Sequence, residues 1–116
     1  MTLADLINLL PAETFYAPSD LAEITLEHVV ASDLMSDVLV APHVEHFILV
    51  TSLASDQMMR TADLVGAAGV ILVNKKRPPQ SLMQLAEDLE IPLLGTALPK
   101  FETCLTIGNA LFEEQP

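Results

Sequence analysis

The chain has 116 residues, 51% of them hydrophobic, and 16 acidic against five basic side chains give it a formal net charge of −11. That length suits one domain with a core of useful size, whereas the charge repels phosphate backbones and anionic lipid, arguing against nucleic acid and membrane surfaces as partners. The longest apolar run, Leu64 to Val73, is about half the ~20 residues that a spanning helix needs.

Thr2-Leu3-Ala4-Asp5 reads as an N-cap with a first-turn acid; Leu3, Leu6, Ile7 and Leu10 follow at helical spacing until Pro11 ends the helix. Thr14-Phe15-Tyr16 and Leu21 to Leu26 are expected to be short extended pieces joined by the turn Pro18-Ser19-Asp20. His28 to Ala31 is a brief strand leading to Ser32 as an N-cap, and Leu34, Met35, Val38 and Leu39 predict a short amphipathic helix. His46 to Val50 lacks polar alternation, as a strand covered on both faces should. Ser55 caps a helix from Asp56 to Val65 that Gly66 stops. Gly69 to Val73 is another apolar strand, and Pro78-Pro79 opens a helix with Leu82, Leu85, Ala86 and Leu89 on one face. Ile91 to Leu94 forms a further short strand. Pro99 then leads into a last helix with Phe101, Cys104, Leu105, Gly108, Leu111 and Phe112 on one side, which makes Cys104 a buried core thiol. Apolar strands alternating with amphipathic helices predict a single α/β domain over residues 1–116. Its sheet is mainly parallel and flanked by helices on both faces, with the strand order left open.

No Lys or Arg precedes Arg60, so a secretory signal would lack its basic start, and the single Cys104 allows no intrachain disulfide. Both point to the cytoplasm. The surplus of apolar residues predicts a self-association surface and a homodimer. The acidity is uneven: residues 1–59 hold nine acids and no Lys or Arg, and residues 60–116 hold seven acids and all five basic residues.

Ligands of open α/β sheets bind beyond the carboxyl ends of the strands, beside helix N-termini. Four such turns stand here: Ser32-Asp33, Thr51-Ser52-Leu53-Ala54-Ser55, Asn74-Lys75-Lys76-Arg77 and Gly95-Thr96-Ala97. Ser32, Asp33, Thr51, Ser52, Ser55, Asn74, Lys75, Lys76 and Thr96 are the candidate ligand-binding residues, suited to a phosphate or carboxylate. The bland reading stands beside this one. Ser32, Ser55 and Asn74 are ordinary cap and turn residues, and Lys75-Lys76-Arg77 also serves as a solvated turn that offsets nearby acids. Asp33 and Asp37 are spaced to share a cation but fit helix-start and surface acids better. His43-x-x-His46 lacks a third ligand, so no metal site is assigned. No Gly-x-Ser-x-Gly, Gly-x-Gly-x-x-Gly or Gly-rich phosphate loop occurs, and no nucleophile stands with a base. The chain therefore reads as a non-enzyme without a cofactor.

Several stretches carry a family resemblance. They are Val29-Val30-Ala31-Ser32-Asp33-Leu34-Met35-Ser36-Asp37-Val38-Leu39, Thr51-Ser52-Leu53, Arg60-Thr61-Ala62-Asp63-Leu64-Val65-Gly66-Ala67, Asn74-Lys75-Lys76-Arg77-Pro78-Pro79 and Ile91-Pro92-Leu93-Leu94-Gly95-Thr96. With these the chain resembles the small stand-alone proteins of the DRTGG domain family, which are similar to the N-terminal domain of HPr kinase/phosphorylase. The resemblance implies an α/β fold, commonly dimeric, and an accessory regulatory role without catalytic residues. Stand-alone members tend to be encoded near hydrogenase and anti-sigma-type kinase genes, which implies redox or energy signalling. The Asp-Arg-Thr-Gly-Gly run itself is absent. Asn74-Lys75-Lys76 stands where relatives often carry Thr-Gly-Gly, placing charge and bulk where a Gly-Gly turn lets a ligand approach the backbone. The expectation is a homodimeric regulatory module sensing a nucleotide or phosphorylated metabolite. The alternative is an adaptor that binds a signalling protein and no small molecule.

Overall fold

The computed structural model describes residues 1–40 and 44–113. In chain order the elements are α1 (Leu3–Leu9), β1 (Glu13–Tyr16), a 3-10 turn (Leu21–Glu23), β2 (His28–Ala31), α2 (Met35–Val40) and β3 (Phe47–Thr51). They continue with α3 (Asp56–Val65), β4 (Gly69–Leu72), α4 (Gln80–Leu89), β5 (Leu93–Gly95) and α5 (Lys100–Glu113). Local chemistry accounts for the helix starts. Thr2 and Asp5 form a capping box, each side chain accepting from the other's N–H at 3.1 and 2.9 Å. Ser55 accepts from the Met58 N–H at 3.2 Å, and α3 ends on Gly66 with φ +78°, a conformation glycine enters without a Cβ penalty.

The strands make one sheet in the order β1-β5-β4-β3-β2, in which β2 to β5 run parallel and β1 pairs antiparallel with β5. Successive residues of the inner strands enter different cores. Phe47, Leu49, Val70, Leu72 and Leu93 pack with Met58, Met59, Leu82 and Ala86 of α3 and α4. Ile48, Val50, Ile71, Val73 and Leu94 pack with Leu3 and Leu6 of α1 and Ile107 and Leu111 of α5. Uninterrupted apolar strands follow directly from this two-sided burial.

Four local expectations change. Leu21–Glu23 is a 3-10 turn rather than extended chain, closed by the Glu23 N–H on the Asp20 carbonyl at 2.9 Å. Beyond it Thr25 makes an isolated bridge with Thr2, and the Leu26 N–H reaches the Met1 carbonyl at 2.7 Å. That segment ties down the chain start instead of joining the sheet. His46 is exposed at φ +57°, its carbonyl accepting from the N–H groups of Glu27 and His28, so β3 begins at Phe47. β5 begins at Leu93 because Pro92 has no N–H for the ladder; its carbonyl still accepts from Val70 at 2.9 Å. In α5 the buried side chains are Thr103, Ile107 and Leu111, while Phe101 and Phe112 lie on the solvent side and Cys104 is half-buried. Of the residues that periodicity placed on one side, Leu111 is buried, whereas Phe101, Leu105 and Phe112 are exposed, and docking on the sheet adds Thr103 and Ile107.

Candidate functional site

Because β2 to β5 run parallel, the segments after them lie along one edge of the sheet. Along that edge the nine candidate residues fall into two groups and a remainder. Ser55 is the remainder, engaged as the cap of α3.

The first group is Ser32, Asp33, Thr51 and Ser52, after β2 and β3. The Asp33 carboxylate accepts from the Thr51 hydroxyl at 2.9 Å, the Ser52 N–H at 2.7 Å and the Ser52 hydroxyl at 2.8 Å. It also accepts from the Lys100 ammonium. Partial burial pushes this carboxyl up. The bonds from Lys100, the Ser52 N–H and the two hydroxyls outweigh that and hold it well below the usual carboxylate range. Asp33 therefore braces β2, β3 and α5 together with its acceptor oxygens already engaged. Ser32 bonds Leu34, accepting from its N–H at 3.0 Å and donating to its carbonyl at 3.2 Å. This is a turn ahead of α2 rather than the cap of the helix. Lys100 was missed by reading the sequence, although a signal existed. A cation in the first turn of a helix opposes the macrodipole, and its presence there asks for a nearby acid.

The second group is Asn74, Lys75, Lys76 and Thr96, after β4 and β5. Asn74 and Lys75 have φ of +59° and +61°, and the Lys76 N–H donates to the Val73 carbonyl at 3.2 Å. This is a type I′ turn, whose two central positions ordinarily favour glycine or asparagine. The turn is held from outside as well. The Asn74 N–H donates to the Leu98 carbonyl and the Lys75 N–H to the Thr96 carbonyl, both at 2.9 Å. These N–H groups are consequently engaged within the protein, and the lysine side chains are what the turn presents.

A cleft of about 190 Å³ lies here between Lys75, Lys76 and Arg77, Gly95 to Ala97, and Pro11, Glu13 and Phe15. Gly95 makes room for β1: a Cβ there would come within 2.5 Å of the Phe15 ring. Arg77 forms two bonds to the Glu13 carboxylate at 3.0 and 3.1 Å, and its guanidinium stands 5.5 Å from the Phe15 ring centre. Its charge is thus matched by Glu13. Lys75 and Lys76 are exposed, and among the described residues neither has a carboxylate partner. The contributions of Glu13, Phe15 and Pro11 had no sequence signal, since they depend on β1 lying beside β5.

No group of three or more His, Cys, Asp or Glu suited to a metal ion occurs among the described residues. The His43-x-x-His46 pair cannot be followed, because His43 lies outside them. Among the described residues no helix is long and apolar enough to cross a membrane.

The fold is similar to that of the CBS and DRTGG domains of the regulatory region of Clostridium perfringens pyrophosphatase, in a crystal structure with the activator diadenosine tetraphosphate. The TM-score is 0.67 at 15% identity, over 91% of this chain and 45% of that one. The chain spans less than half the length of that neighbour, and at this identity the likeness is one of fold: a mostly parallel five-stranded sheet flanked by helices. No protein-family model matches the sequence, and no curated protein is similar to it.

Proposed function

We propose that residues 1–116 form a single DRTGG-like regulatory domain, cytoplasmic and non-catalytic, that senses a small anionic ligand at the cleft after β4 and β5. One observation carries this reading. Three of the five basic residues of a strongly acidic chain line one cleft, and among the described residues the ammonium groups of Lys75 and Lys76 have no acid of their own. Two such cations within one concave surface favour an anion. The cleft is smaller than the ~300–1,000 Å³ pockets that enclose whole ligands. A nucleotide or phosphorylated metabolite therefore binds end-on, phosphate inward, its remainder outside. Asn74 and Thr96 shape the turn and the cleft wall. Ser32, Asp33, Thr51, Ser52 and Ser55 act as supports, because their polar atoms bond one another or a helix start. The fold neighbour supports a regulatory role in general, being a regulatory region in complex with a nucleotide activator. The self-association expected from the apolar surplus belongs to the same proposal.

Calorimetric titration with inorganic phosphate, nucleotides and phosphorylated metabolites tests it. Lys75→Glu combined with Lys76→Glu is expected to abolish binding; unchanged affinity in that variant places the site elsewhere. A second reading, an adaptor without a small-molecule ligand, draws on the exposed apolar side of α5. A protein that co-purifies from the native cell and stays bound without any metabolite favours the adaptor.

A further inference from the structure

We propose that α5 packs antiparallel against α5 of a second copy of this chain, through the helix face that the core leaves uncovered. On that face Phe101, Leu105 and Phe112 are 71%, 48% and 73% exposed, and with Cys104, Gly108 and Asn109 they line a charge-free groove of about 280 Å³. Leu64 and Val40 are as exposed as these residues, but they stand on other helices.

The arrangement along the helix identifies the occupant. Phe101 and Phe112, Leu105 and Gly108, and Cys104 and Asn109 are three pairs with a common midpoint, between Thr106 and Ile107. A two-fold axis through that point lays Phe101 against Phe112 of the second copy and Leu105 against its Gly108. A large side chain then meets a missing one, twice, as an isologous interface requires. A partner of unrelated sequence has no need of such symmetry. Gly108 supports the same assignment. A Cβ built on it meets no other side chain within 4 Å among the described residues. An interior helix glycine costs about 1 kcal/mol relative to alanine, so within one copy this position loses stability with no packing return. A close approach from outside supplies the return.

Area and charge agree. Two phenylalanines about three-quarters exposed and half a leucine offer roughly 350 Å² of apolar surface per copy. A stable interface takes ~800 Å² from each partner, somewhat over half of it apolar. The strip thus supplies most of the apolar centre, and surrounding residues supply the rim. Two chains of charge −11 meet with least repulsion on an uncharged strip.

This inference rests on the self-association part of the proposed function. Sedimentation velocity on the full chain, from micromolar to millimolar concentration and at low and high salt, tests it with Gly108→Leu and Phe112→Glu. The expected result is a wild-type dimer that tightens as salt rises and that each substitution weakens about tenfold or more. Far-UV circular dichroism confirms that the variants fold, and phosphate titration confirms that their Lys75-Lys76 cleft is intact. A dimer indifferent to both substitutions overturns this face while self-association stands. A wild-type monomer throughout overturns both. A monomer whose α5 variants lose a co-purifying protein assigns the face to that protein and likewise overturns the proposal.

Discussion

Replacing Asp33 with asparagine keeps the size of the side chain and removes the charge that three elements share. The carboxylate accepts from Thr51, twice from Ser52 and from Lys100. Hydrogen bonds to a charged group contribute about 1.5–3 kcal/mol each when well buried. Here the Asp33 side chain is 43% exposed and that of Lys100 35%, so solvent screens the ion pair to the ~0–1 kcal/mol of a surface bridge. Asparagine retains one acceptor oxygen and turns an N–H₂ toward the remaining donors. The net cost is about 2 kcal/mol, or roughly 6–8 °C in Tm for a domain of this size. The sign of the pH dependence follows from the folded carboxyl lying below its unfolded value. As pH falls, the unfolded chain takes up the proton first, so the stabilisation is full above about pH 5 and drains away below it. Thermal unfolding followed by circular dichroism at pH 7 and pH 2 is the assay. The gap between wild type and Asp33→Asn should be plain at pH 7 and smaller at pH 2, with phosphate affinity unaltered. Equal Tm values at pH 7, or a gap undiminished at pH 2, would refute the brace.

Lys75→Gly should raise stability by about 1 kcal/mol, because it relieves a left-handed residue, yet weaken phosphate binding; melting and titration on one sample separate the opposed signs. Gly95→Ala should lower stability by about 1–3 kcal/mol, since the new methyl displaces the Phe15 ring on which Arg77 stands; a urea midpoint equal to wild type would count against it. Partial burial pushes the Cys104 thiol up despite the pull of Lys100. Its reaction with a disulfide reagent at pH 7.5 should accordingly be slower than that of free cysteine, and a rate matching the free thiol would contradict the burial.

Much of the fold was legible before any coordinates. The Thr2 cap with its first-turn acid, the Ser55 cap, the Gly66 stop and the unbroken apolar runs that contain β3 and β4 each depend on residues within a few positions of one another. Such signals survive in a linear reading because the hydrogen bonds and periodicities behind them are local. The basic turn was legible too, as the densest cluster of positive charge in the chain, and so was the set of turns from which a ligand site could come.

What joins residues far apart was not. Asp33 meets Lys100 across 67 positions and Glu13 meets Arg77 across 64, so no spacing announces either pair. The strand order puts β1 beside β5, brings Glu13 and Phe15 to the basic turn, and divides the nine candidates between an internally satisfied brace and an open cleft. On α5 periodicity grouped Phe101, Leu105 and Phe112 with Leu111, and hydrophobicity alone did not show that Leu111 is the one of these four on the buried side. The sheet chose, because a helix docks where its side chains fit the strands beneath it, and that left Phe101, Leu105 and Phe112 facing outward. Sequence pattern determined the elements, and long-range packing decided which of their faces remained free.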